Sequence, residues 1–229
     1  SKFKIYLYTK MKMRFLKFLT ILLPLINAVE NFSFQVQMKT GNKNKYKCHG
    51  IIINPDNVVF PVDCEPSNQN FNIFHNNEKL EVLKQTSNDA LTIYEVNGIK
   101  ENIEPLFASE YYPYYAVTQP LNFIKYKKGN IFENSIEIVN NDTCDNLFNM
   151  EDYHFCLGER NKRRRKNCSR DKGKAFYLET PEGKVISGMA VKGCPDRLMV
   201  TKSIKLSYFL DWIEKNGGPI KIGPDVCKK

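Results

Sequence analysis

Residues 48–64 read Cys48-His49-Gly50-Ile51-Ile52-Ile53-Asn54-Pro55-Asp56-Asn57-Val58-Val59-Phe60-Pro61-Val62-Asp63-Cys64. Two apolar runs rich in β-branched residues flank an Asn-Pro-Asp-Asn turn, and a cysteine stands at each end. This pattern predicts a tight hairpin of two well-buried strands. Working outward, residues 32–38 alternate apolar and polar side chains and predict a strand before the hairpin. Residues 71–74 and 80–84 predict two short strands joined by His75-Asn76-Asn77-Glu78. Further strands are expected at 115–118 and 131–139. Residues 175–178 and 184–191 form a second hairpin turned at Pro181-Glu182-Gly183, and 198–202 form the last strand. Residues 203–216 predict a helix, with Ser203 as N-cap, apolar Ile204, Leu206, Phe209, Leu210 and Ile213, and Gly217 as its stop.

A second stretch decides how that β-rich chain is read. It runs Cys168-Ser169-Arg170-Asp171-Lys172-Gly173-Lys174-Ala175, followed by Gly188 to Cys194. It resembles the C-x-G-D-S-G-G-P signature of the trypsin-like (chymotrypsin-fold) serine proteases. Lys172 stands at the position of the nucleophilic serine. Arg170 replaces the glycine whose N–H helps form the oxyanion hole, and Lys174-Ala175 replaces the final G-P. Residues 48–64 likewise resemble C-G-G-x-L-I-x-x-x-x-V-L-T-A-A-H-C, with Asp63 at the position of the catalytic histidine. Asn88-Asp89-Ala90-Leu91 resembles N-D-I-A-L-L, so Asp89 matches the triad aspartate, and Asp211-Trp212-Ile213 resembles the family's closing helix. The likeness spans about residues 31–216.

The resemblance implies an all-β chain of two six-stranded antiparallel barrels with a C-terminal α-helix and shortened loops on the first barrel, the calcium-binding loop included. The barrels would occupy 29–108 and 109–202, the helix 203–216 and a tail 217–229. It also implies the pairings Cys48–Cys64, Cys144–Cys156 and Cys168–Cys194, which the cysteine count alone leaves open among seven. Cys227 is then the odd one, a free thiol or the half of an intermolecular bridge. No R-I-V-G-G activation sequence precedes the first strand, so Asp171 lacks the ammonium that pairs with it in active relatives. A buried lone carboxylate is costly, and Lys172 or the basic residues before it are expected to answer it.

Residues 1–28 carry a basic stretch, then the apolar run Phe18-Leu19-Thr20-Ile21-Leu22-Leu23-Pro24-Leu25-Ile26, then Ala28. Met11 or Met13 suits initiation. This is the pattern of a secretory signal, with a membrane anchor as the weaker reading because Pro24 and Asn27 interrupt the run. The expected product is secreted, extracellular, disulfide-bonded, and without stable membrane insertion once the signal is removed. Lys2, Lys4, Lys10, Lys12, Arg14 and Lys17 lie in that leader, so the formal charge of +9 falls to +3 without it. Asn31 and Asn141 sit in glycosylation sequons; Asn167-Cys168-Ser169 is a third whose middle residue is expected to be bridged.

Against that balanced body, Arg160-Asn161-Lys162-Arg163-Arg164-Arg165-Lys166 places six cations in seven residues. A charge run is ordinarily a solvated loop. Here it carries twice the net charge of the mature chain, which suits a sulfated polysaccharide, an anionic lipid or nucleic acid. Its first four residues also resemble a furin-type processing site. Lys166 occupies the position where trypsin-like enzymes carry the acidic residue that selects basic substrates. Tyrosines 111, 112, 114 and 115 form either a binding surface or barrel packing. His49, His75 and His154 show no zinc-ligand spacing and are read as structural or surface residues; no metal and no cofactor are expected.

With nucleophile, base, oxyanion glycine and specificity residue all altered, the resemblance implies a non-catalytic homologue. Such a chain acts by binding, as cofactor, decoy or adaptor, with an extracellular protein or sulfated polysaccharide as partner. Aspartate side chains titrate near ~4, too low for a base acting on a hydroxyl at neutral pH. Asp89 has no histidine to orient. The alternative is a divergent serine-type peptidase relative with an unorthodox hydrolytic site around Asp63, Asp89 and Lys172, in which the lysine amine is activated by neighbouring cations.

Overall fold

The computed structural model describes residues 34–41, 45–64, 71–101, 103–109, 121–127, 130–139, 144–159, 172–193 and 200–224. The first sheet contains β1 (Gln35–Thr40), β2 (Lys45–Asn54), β3 (Asn57–Pro61), β4 (Phe71–His75), β5 (Glu78–Ser87) and β6 (Leu91–Asn97). They close into an antiparallel barrel in the order β1-β2-β3-β6-β5-β4, with β4 returning to β1. The β2–β3 turn is Pro55-Asp56; Asn54 Oδ1 accepts the Asp56 N–H at 3.0 Å and an Asn57 amide hydrogen at 3.2 Å. β4 and β5 are joined by Asn76 and Asn77, both at positive φ (48° and 67°). That is the two-residue hairpin whose twist matches its strands and which asparagine tolerates best after glycine. Val36, Met38, Ile51, Val58, Val59, Phe60, Ile73, Leu91 and Ile93 are buried in this half. The Phe60 ring meets Tyr94 edge to face at 5.7 Å.

The second sheet contains β7 (Leu106–Phe107), β8 (Leu121–Lys127), β9 (Asn130–Val139), β10 (His154–Glu159), β11 (Ala175–Thr180), β12 (Gly183–Gly193), β13 (Val200–Lys205) and β14 (Lys221–Ile222). Its order is β11-β8-β9-β10-β13-β12-β7-β14, and β11 also pairs β12. The curled sheet thereby returns on itself through six antiparallel strands. Renumbered from β8, those six run 1-2-3-6-5-4, the same permutation as in the first barrel. The two halves repeat one topology. β7 and β14 are parallel additions outside the ring. Leu121, Phe155, Leu157, Phe176, Leu178, Val185 and Ala190 form its core.

Two bridges are present, Cys48–Cys64 and Cys144–Cys156. The first joins the start of the β2–β3 hairpin to the 3-10 turn Val62–Cys64 that follows it. The second sits in a small cluster with Phe148 and Val200. Cys168, Cys194 and Cys227 lie outside the described residues, as do the leader, Asn31, Asn141, the four tyrosines, the strand expected at 115–118, Arg170, Asp171 and the basic run 160–166.

The C-terminal helix differs from its expected span. Ser203 is not an N-cap: it and Ile204 continue β13, paired with Phe155 and His154 on one side and with Ala190 and Met189 on the other. Both are buried, so two flanking strands outweigh the local helical spacing. A 3-10 turn (Leu206–Phe209) follows, and α1 spans Leu210–Gly217. Gly218, at φ +84°, ends it and donates its N–H to Glu214 O. α1 belongs to the second half in sequence yet seats on the first barrel. Asn54 Nδ2 donates to Gly217 O, and a Cβ on Gly217 would come within 2.7 Å of Ile53.

Candidate functional site

The triad-like positions fall where the two halves meet. Asp63 is exposed on the 3-10 turn after β3, and Asp89 is exposed on the turn between β5 and β6. Their turns are tied together, because Val62 N–H donates to Ala90 O at 2.9 Å. Asn88 Oδ1 shapes the second turn by accepting the N–H groups of Ala90 (2.8 Å) and Leu91 (2.7 Å). The structure therefore brings Asp63 and Asp89 together at the rim of the first barrel. The Asn88-Asp89 pair has a local role: Asn88 builds the turn that carries Asp89.

Lys172 reaches the same junction from the other half. Its carbonyl accepts the His49 N–H at 2.9 Å, and the next residue, Gly173, donates to Ala190 O at 2.6 Å. Gly173 has φ +76°, and a Cβ there would lie 1.7 Å from the His49 carbonyl oxygen. The segment is pressed between β2 and β12 at a point where only glycine fits. Lys172 is half-buried, and its ammonium makes no ion pair with Asp63 or Asp89 among the described residues.

Opposite the two aspartates stand groups that the sequence did not single out. The Tyr153 phenol is pushed above its ordinary pKa by burial, then by the carboxylates of Glu151, Asp89 and Asp63 and by Tyr208. The Lys202 amine is pushed down by burial and by Lys192, against the opposing pull of Asp63 and Glu151. The Tyr153 ring meets Tyr208 at a tilt, with centroids 5.7 Å apart, and Phe209 edge to face at 5.1 Å. Tyr153 and Lys202 come from the turn before β10 and from β13, which meet the first barrel only after folding. No local motif marks them. Chemically the assembled site offers two carboxylates, a phenol held protonated and an amine. Asp63, Asp89 and Lys172 contribute neither an imidazole nor a hydroxyl.

Two of the three histidines serve the framework. His49 and His75 are buried in β2 and β4. Burial, followed by the charge of Lys174, drives the His49 pKa down to about 3. An unfolded chain takes up this proton near pH 6.5, while the folded chain resists it until about 3. The resulting stability is complete above pH 6.5 and is lost progressively as pH falls towards 3. One such group removes about 1.4 kcal/mol per pH unit across that window. Urea unfolding at pH 7 and pH 5 should show this loss, and His49→Gln should reduce the dependence to the share that His154, whose pKa is also lowered on folding to about 4, contributes with the same sign.

Among the described residues no cluster of His, Cys, Asp and Glu is arranged to hold a metal ion, and no helix is long and apolar enough to cross a membrane. No protein-family model matches the chain, and no curated protein matches it.

Proposed function

We propose that this chain is a secreted, catalytically inactive homologue of the trypsin-like, family S1 serine proteases, acting by binding as a cofactor, decoy or adaptor. One observation carries the reading. The double-barrel frame brings the triad-like positions to the junction of its halves, and those positions hold Asp63, Asp89 and Lys172. Acyl transfer through a serine needs a hydroxyl activated by a hydrogen-bonded base and an oxyanion hole beside it. A lysine, an exposed aspartate and an arginine in place of the oxyanion glycine supply none of these. The two disulfides fit an oxidising compartment, which supports secretion.

The binding surface we assign is the basic run 160–166, with a sulfated polysaccharide as partner. The support is charge contrast: six cations on a mature chain of net +3 leave the remainder at about −3. Such binding falls steeply with salt, by about 0.7–0.9 log units per log unit for each anion contacted, by analogy with phosphate. Replacing Arg163, Arg164 and Arg165 with serine should move elution from a heparin column to much lower salt and leave the urea midpoint unchanged. Elution at the wild-type salt concentration would remove the run from the binding surface. Cleavage after Arg163 is the competing use of these residues. It would be read as two chains on a denaturing gel of the secreted protein.

A further inference from the structure

Residues 149–154 form a loop that leads into β10 and carries Tyr153 to the junction of the halves. Its backbone is stapled to β13. Lys205 donates its N–H to Tyr153 O at 2.8 Å and its ammonium to Asp152 O at 2.7 Å. Lys202 Nζ donates to Asn149 O. Two further bonds close the loop on itself: His154 N–H to Glu151 O at 2.8 Å, and Glu151 N–H to His154 Nδ1 at 2.9 Å. The last is chemically distinctive. An imidazole nitrogen accepts a hydrogen bond only while unprotonated; a proton on Nδ1 sets one donor against another.

We propose that residues 149–154 are an acid-released latch: neutral His154 holds the loop shut through the Glu151 N–H, and protonation frees the loop from β13, carrying Tyr153 away from Asp63 and Asp89.

The surroundings set how much acid is needed. Partial burial, then the cations Lys202 and Lys205, hold the His154 pKa down to about 4. Glu151 and Asp152 are the acidic groups on the loop itself, and the Tyr153 ring lies beside the imidazole, tilted by 45° with centroids 4.3 Å apart. Tyr208 from the 3-10 turn faces the loop through Tyr153; Lys192 of β12 lies near Lys202, and Asp63 and Asp89 approach from the first barrel. The same two lysines that oppose the proton also donate to the loop carbonyls. A third cation therefore appears beside both staples at the moment the acceptor is lost. The latch opens in one step rather than fraying.

The test follows the intact protein by NMR from pH 7 to 3.5, reading the His154 ring nitrogens and the backbone amides of Tyr153 and Lys205. Far-UV circular dichroism reports the global fold in parallel. The expected result is that Nδ1 gains its proton and both amides shift with one shared midpoint, lying above the closed-loop value of about 4 and below the ordinary 6.5 because the opened loop binds the proton more tightly, while the circular dichroism stays unchanged. His154→Asn places an amide oxygen close to where Nδ1 stands and cannot be protonated, so the shared transition should vanish. His154→Ala has no acceptor, and its Lys205 amide should already sit at the wild-type acid position at pH 7. The proposal is overturned by any of three results. These are amides that stay put while His154 titrates, a transition that persists unaltered in His154→Asn, and a global fold that collapses together with the loop.

Discussion

Gly173→Ala is expected to destabilise the protein by about 4 kcal/mol or more, the range reserved for substitutions with an identifiable steric or electrostatic cause. Two effects add. The residue sits at φ +76°, where an L side chain costs about 1–2 kcal/mol on its own, and its Cβ would lie 1.7 Å from the His49 carbonyl oxygen. That oxygen belongs to backbone and cannot rotate aside. The segment cannot back away either, since it is bonded to His49 through the Lys172 carbonyl and to Ala190 through the Gly173 N–H. Relief requires the contact between β2 and β12 to open. Gly41→Ala supplies the control: its φ is +72°, but nothing lies within 4 Å of the added carbon. Unfolding free energies of the two variants from urea titration should differ by several kcal/mol. A difference within about 1 kcal/mol, the span of the backbone term itself, would refute the close approach.

Lys172→Ser is expected to restore no hydrolysis of peptide or ester substrates, leaving a gap of about 10⁶-fold or more to a working enzyme of the resembled kind. On the proposed resemblance, Asp63 would still stand at the position that needs an imidazole and Arg170 at that of the oxyanion glycine. Triad members act as a unit, so returning one of them recovers little. Turnover of chromogenic esters by purified Lys172→Ser, compared with wild type and with buffer, checks this. A clear gain over wild type would mean that a base is present at the junction and that the alternative site around Asp63, Asp89 and Lys172 has substance.

Much of the frame was legible where the signal is local. The Asn-Pro-Asp-Asn turn between two apolar runs gave the β2–β3 hairpin, and Pro181-Glu182-Gly183 gave the turn between β11 and β12. Asn76-Asn77 marked its hairpin because both residues must adopt positive φ. The failures are places where pairing at a distance decides. Ser203 followed by apolar residues at helical spacing looks like a capped helix, yet two strands claim it. β8 and β10 gave no distinct signal: their partners come from as far away as β11 and β13. The candidate site divides the same way. Asp63, Asp89 and Lys172 stood out by their positions in quoted motifs. Tyr153 and Lys202 did not, because what makes them part of the site is the approach of the first barrel's carboxylates. Gly173 was visible as a retained glycine, but the reason, a carbonyl oxygen occupying the space of its side chain, exists only in three dimensions.

The central claim is that the junction of the two halves carries no serine-type catalytic centre. The most direct measurement is intact mass of the purified mature protein after exposure to a fluorophosphonate probe, which phosphonylates an activated serine and leaves unactivated hydroxyls alone. The account predicts an unshifted mass at neutral pH, with an active trypsin-like protease labelled in the same tube. A stoichiometric adduct on the wild-type chain would contradict it.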